Sequence, residues 1–238
     1  VSGAAERALA FIEAHGDASA RRRAAGLGGV LPAAGVLEAL PAPSGLDDAL
    51  ALLELADDLR ALSLPAAERA VSVVEAAQQP DGSWGGLWRT GLLAGFLAKT
   101  PYARPATLHA AGAWLADQWA PEQVKGGDAR RAWPAIAAFA HFFANVPHDL
   151  SDAALQWCGR ELDRGFRTRR WDAVRTARVL LWCDAGAMPG ARLGAEELVS
   201  ALAAEQQPDG GWVCTGPSPR ERVAHTLDAL TALLRWRY

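Results

Sequence analysis

Seven residues occur twice in this chain with a single change: Gln78-Gln79-Pro80-Asp81-Gly82-Ser83-Trp84 and Gln206-Gln207-Pro208-Asp209-Gly210-Gly211-Trp212. The second copy begins 128 residues after the first. A duplicated loop of this kind marks a repeating unit, and repeats bury their apolar faces by stacking on one another. Two worn copies lie between. Trp114-Leu115-Ala116-Asp117-Gln118 leads through Gly126-Gly127 to Trp133, and Leu155-Gln156-Trp157 leads through Gly165 to Trp171. The loop-ending tryptophans, at 84, 133, 171 and 212, are 49, 38 and 41 residues apart. That spacing fits one helical hairpin of about 40–45 residues per repeat.

The segments around each loop support helices. Before the loops lie amphipathic stretches at 65–78, 105–118, 151–163 and 193–206. After them come stretches apolar on nearly every side, at 88–99, 133–145, 173–185 and 223–236. A helix without a polar face is buried all round, so the second set is expected inside the first. Pro-Asp-Gly supplies the turn between them, because Pro presets φ and Gly accepts a positive one. No run of five or more residues alternates with period two, so no strands are expected. Leu46 to Leu62 reads as an earlier inner helix and Ala4 to Ala14 as an earlier outer one. The expected fold is all-α: a single domain, 1–238, of five to six helical hairpins forming an (α/α) toroid with inner and outer rings around an apolar cavity. Residues 1–64 supply its N-terminal hairpins and 65–238 its clear repeats.

With 238 residues, half of them hydrophobic, the chain can bury a large core. A net charge of -3 gives no global field for nucleic acid or an anionic membrane. No stretch reaches the roughly 18–20 apolar residues of a membrane span. Cys158, Cys183 and Cys214 are an odd number without close pairing, which favours a reducing compartment. The chain opens at Val1, compatible with a removed leader, and a cytoplasmic location is the expectation.

Gln78 to Gly85, read as Gln-x-x-Asp-Gly-Ser-Trp-Gly, resembles the QW repeat of squalene–hopene cyclase and related class II terpene cyclases. The wider superfamily includes protein prenyltransferase β-subunits and shares an α/α toroid. The resemblance covers about 65–238 and reaches the first 60 residues by extension. It implies a structural role for Gln79, Asp81, Trp84, Gln207, Asp209 and Trp212, tying outer helices to neighbouring loops. It also implies an isoprenoid substrate.

Gly45-Leu46-Asp47-Asp48-Ala49 is similar to the Asp-x-Asp-Asp sequence with which those cyclases enter an inner helix. In the family the middle Asp protonates an alkene or epoxide. On that pattern Asp47 is the acid and Asp48 its neighbour, with Gly45 in place of the first Asp and Ala49 in place of the usual Thr. An alkene-protonating acid must be held neutral, and a neighbouring carboxylate or an apolar pocket does this. A helix N-terminus acts the other way, and two acidic residues at a helix start also serve as simple dipole partners.

The other inner helices begin alike, with Arg89-Thr90, Arg175-Thr176 and His225-Thr226. These starts are expected to meet at one mouth of the ring. Aromatic faces on the cavity walls, on or beside the inner helices, would stabilise a carbocation without capturing it, each by about 0.5–2 kcal/mol. Trp88, Trp133 and Trp171 are candidates for binding substrate, with Arg89, Arg175 and His225 for its polar end. Phe96, Phe139, Phe142, Trp182 and Trp236 are further aromatics of this set, and Arg130, Arg131, Arg220 and Arg222 further rim cations. No cofactor is expected beyond magnesium accompanying a diphosphate.

The resemblance leaves three readings open. One is proton-initiated (class II) cyclisation of a polyprenyl or polyprenyl diphosphate substrate. Family cyclases place that site between two helical domains, so a second cyclase-like subunit or a homodimer is implied. The second is a non-catalytic toroid for binding or scaffolding. The third, a zinc-dependent prenyltransferase, would draw on Asp172, Cys214 and His225, with Val174 standing where that family has its Cys.

Overall fold

The computed structural model describes residues 2–125, 129–214, 216 and 218–236. Among them are thirteen helices and no strand, only an isolated bridge between Ala187 and Gly194. In chain order they are α1 (Ser2–His15), α2 (Ala18–Leu27), α3 (Ala33–Glu38), α4 (Leu46–Asp58), α5 (Pro65–Ala76), α6 (Leu87–Ala98) and α7 (Pro105–Gln118). There follow α8 (Pro121–Val124), α9 (Ala129–Asn145), α10 (Ser151–Arg167), α11 (Ala173–Trp182), α12 (Ala195–Glu205) and α13 (Pro219–Arg235). The expected helices lie within a few residues of these bounds, while α2, α3 and α8 are additional. No helix among the described residues is long and apolar enough to cross a membrane.

Local chemistry sets the helix starts. Proline occupies the first turn of α5, α7, α8 and α13, where its missing N–H costs nothing. Asp17 caps α2 by accepting from the Ala20 N–H, and Ser218 with Glu221 forms a capping box on α13. In α6 every residue from Thr90 to Leu97 is buried, and α11 is buried at nine of its ten positions. Each of these two and of α4, α9 and α13, the expected inner helices, packs on one of the expected outer helices: α4 on α5, α6 on α7, α9 on α10, α11 on α12 and α13 on α1.

Contacts among the inner helices run α4 to α6, α6 to α9, α9 to α11 and α11 to α13; α13 packs on α2, α2 on α3 and α3 on α4. The last helix also packs on the first, α1.

The duplicated loops show how this is fastened. Trp84 Nε1 donates to the Val74 carbonyl (2.7 Å), Trp171 Nε1 to Leu162 (3.1 Å) and Trp212 Nε1 to Leu202 (2.9 Å), all near the ends of the preceding outer helices. The Trp84 and Trp212 N–H groups donate to Thr90 and Thr226, the buried threonines of the inner helices. Gln78 Nε2 donates to the Gly82 carbonyl in its own loop and to Thr107 in α7. Gln206 repeats the pattern, donating to Gly210 and to Ala4 in α1. The bridging glutamine is thus the first of each pair, not Gln79 or Gln207. The loop that follows α12 grips the first helix of the chain as the loop after α5 grips α7.

Trp133 departs from the expected series. It lies inside α9 rather than at a loop end, so three loops, not four, carry the tryptophan anchor. Gly126 and Gly127 fall outside the described residues.

Candidate functional site

Side-chain contacts join the N-terminal turns of α4, α6, α9 and α11. Asp47, second in α4, pairs with Arg89, third in α6, at 2.8 Å. Trp88, beside Arg89, packs against Trp133 of α9 with ring centroids 5.5 Å apart, and against Trp182 of α11 at 5.9 Å. The Arg175 guanidinium of α11 lies 6.0 Å from the Trp133 ring. Asp172 caps α11 by accepting from the Arg175 N–H at 2.8 Å, and its other neighbour is His225 Nε2 of α13 at 3.5 Å. Asp47, Arg89, Trp88, Trp133, Arg175, Asp172 and His225 therefore form one continuous line of contacts across four inner-helix ends and α13. These ends present partly positive backbone, which favours an anion.

The residues in this line differ in exposure. Trp88 is 36% exposed, the most open aromatic of the cluster, while Trp182 is buried beneath it. Trp133 Nε1, Trp182 Nε1 and both ring nitrogens of His141 are buried without a hydrogen-bond partner. Beside His225, Asp172 and Arg175 a cavity of about 840 Å³ opens, walled also by Arg169, Glu205 and Cys214. Burial pushes the Asp172 carboxyl up, but the His225 ring and the Arg175 N–H outweigh it and hold it below its ordinary value. Glu205 goes the other way, since burial raises it more than the Ala173 N–H and Arg169 lower it.

Other residues expected at the site have different surroundings. The Asp47 side chain is 82% exposed, and its partner is a cation; neither supplies the apolar enclosure that keeps an alkene-protonating acid neutral. Asp48 is exposed and accepts from the Ser44 N–H (3.1 Å) and hydroxyl, bonds that pull its carboxyl below the usual value. Trp171 is buried as the loop anchor of its repeat, with Gly165 under its ring and Arg170 over it; it lines the cavity beside Arg175 and His225 but is not part of the Trp88 ring cluster. Arg222 holds Asp209 at 2.7 and 2.8 Å and braces the last loop, while Arg131 and Arg220 are exposed. The Arg130 side chain lies outside the described residues. Among the described residues no three His, Cys, Asp or Glu side chains converge as a metal site; Cys214 hydrogen-bonds the Gly216 carbonyl instead.

Behind the aromatic cluster, sequence reasoning missed a buried ionic network. Arg178, 4% exposed, reaches Asp58 and Glu54 of α4 at 2.5 Å each, and its Cζ stacks 5.1 Å from the Trp182 ring. Arg23 of α2 bonds the same Asp58 (2.6 Å) and Asp228 of α13 (3.2 Å). Where an apolar hollow was expected, the space between α2, α4, α11 and α13 holds charge. The signal was available: one arginine inside the apolar run from Ala177 to Trp182, and Asp57-Asp58 ending an apolar helix. Buried charges are tolerated when paired, so each announced the other.

No family model matches the chain, and no curated protein or solved structure matches it.

Proposed function

We propose that the helices close into an α/α toroid whose N-terminal mouth binds a polyprenyl diphosphate or a similar apolar chain with an anionic head. The observation that carries this is the line Arg89–Trp88–Trp133–Arg175, cations flanking a pair of packed indoles, one of them open, at helix N-termini. Closure is supported by the last loop holding α1 and by α13 packing on α1 and α2. Arg89 and Arg175 would hold the head, and the Trp88 face the first isoprene units.

In this account the chain alone binds and does not cyclise. Asp47 is solvent-exposed and ion-paired, and the interior beyond Trp182 is filled by the Arg178 network. Cyclisation is a second reading, favoured by the position of Asp47 at the same mouth: a second chain covering that mouth would bury Asp47 and shed its water.

Titration of tryptophan fluorescence with polyprenyl diphosphates of graded length tests the binding. Saturable quenching that weakens in Trp88→Ala and in Arg89→Ala/Arg175→Ala is expected; equal quenching in all three proteins contradicts it. Cyclised product that appears only with an added partner chain, and vanishes in Asp47→Asn, would establish the second reading.

A further inference from the structure

The opposite side of the molecule, where the inner helices end, carries a second polar cavity of about 810 Å³. Lys99, Asn145, Asp184 and Arg235 line it, and Asp57 of α4 lies among them. Lys99 is 9% exposed and bonds Asp57 (2.6 Å), Asp184 (2.9 Å) and the Trp182 carbonyl (3.3 Å). Arg235 bonds Asp184 (2.8 Å) and the Asp57 carbonyl (2.9 Å). These two cations balance the two carboxylates and also bond two helix-end carbonyls.

Arg60 is left over. It lines the same cavity, and its side chain has no hydrogen bond or ion pair with any described residue. Its backbone is costly as well: Arg60 has φ 53°, one of three non-glycine residues with positive φ among those described. It sits at the left-handed position of a helix C-cap, where Arg60 N–H donates to Asp57 and Ala61 N–H to Ala56. Glycine is the usual residue there, as Gly29 is after α2, because a Cβ strains that conformation. The other two exceptions each place a charged side chain on a partner: Asp184 on Lys99 and Arg235, and Arg169 near Glu205 at 3.9 Å. Only Arg60 bears the strain with no partner to show for it.

We infer that this cavity binds a phosphate-bearing small molecule, with Arg60 as its free cation beside Lys99 and Arg235. Among the side chains on its wall, three cations stand against two carboxylates, so the formal charge of Arg60 is left for an oxyanion to answer. Asp184, bridging Lys99 and Arg235, already shows where oxygen atoms are received. The volume exceeds that of phosphate alone, and Leu62 and Trp236 on the wall offer apolar contact for an organic portion. The site is separate from the N-terminal mouth and does not depend on its ligand.

The substitution Arg60→Gly separates the two roles of the residue, because it relieves backbone strain while removing the charge. Calorimetric titration with inorganic phosphate, pyrophosphate and phenyl phosphate in low-chloride buffer should give saturable binding to the unmodified protein. Arg60→Gly should melt a few degrees higher and bind at least tenfold more weakly, while Trp88→Ala binds as the unmodified protein does. Absence of saturable binding for all three probes, or equal affinity in Arg60→Gly, overturns the inference. Binding lost equally in Trp88→Ala would assign the phosphate to the other mouth and overturn it too.

Discussion

Gly210 meets the main chain of Arg7 so closely that a Cβ on it would stand 2.3 Å from the Arg7 carbonyl oxygen. Gly82 stands in the same relation to Ala110, at 2.4 Å, and both glycines have φ near 90° (91° and 92°). The joint between the end and the start of the chain is therefore built like a joint in its middle. Gly82→Ala and Gly210→Ala should each destabilise the fold by at least about 1–3 kcal/mol in urea unfolding, from backbone strain alone. Gly35→Ala, in α3 with only the Pro32 ring at 3.6 Å, should be neutral or stabilising. A Gly210→Ala protein as stable as the parent would mean that α1 is not held as described.

The tryptophans divide into anchors and faces, and substitution should tell them apart. Trp84→Phe and Trp212→Phe each remove a buried indole donor from a helix-end carbonyl and should cost at least about 0.5–1.5 kcal/mol each. Trp88→Phe, at a half-open position with no such bond, should leave the midpoint of unfolding within experimental error.

Arg178 and Asp58 set the cost of disturbing the interior. Arg178→Met leaves Asp58, Glu54 and Asp228 with Arg23 as their one remaining cation in the network, so the buried carboxylate is in excess and the change should destabilise by about 3–5 kcal/mol. Adding Asp58→Asn should recover part of the loss, because the most buried of the excess carboxylates is gone. A double variant whose loss equals the sum of the two single losses would show that the pair is not coupled.

Much of this architecture was legible in the sequence, and the failures have physical causes. The loop at Gln78–Trp84 announced its twin, and the threonines after Arg89 and His225 are buried, Thr90 in the first turn of α6 and Thr226 two turns into α13. Trp133 misled, since a worn repeat keeps its spacing while its tryptophan moves into a helix and faces Trp88. Trp171 misled the other way: its loop has lost the Pro-Asp-Gly turn but retains the anchor bond to Leu162. Asp47 and Arg89 are 42 residues apart, and no local pattern pairs them. Nor does composition separate an apolar interior from one that holds Arg178, because four helices contribute a charge or two each.

Acid should act on stability in two stages. Burial, reinforced by Lys99 and Arg178, holds the His141 imidazole well below its ordinary 6.5, so it stays neutral in the fold and takes a proton when unfolded. Stability should thus be full above about pH 6.5 and decline below it, with a slope of up to about 1.4 kcal/mol per pH unit. Burial pushes Asp58 up, but Arg178 and Arg23 outweigh it and hold its carboxyl below 3.8. Its contribution is present above that value and disappears as pH falls further. Urea unfolding across pH 7 to 3 checks both stages. His141→Phe, filling the slot against Gly95 and Phe96, should flatten the first and spare the second.

Indole N–H resonances of the ten tryptophans, followed while a polyprenyl diphosphate is added, test the proposed mouth most directly. Trp88 and Trp133 should shift saturably, while the anchor Trp84, away from the cavity beside His225, stays in place and the ligand is recovered unchanged. Shifts that spare Trp88 and Trp133, or no shift at saturating ligand, would contradict it.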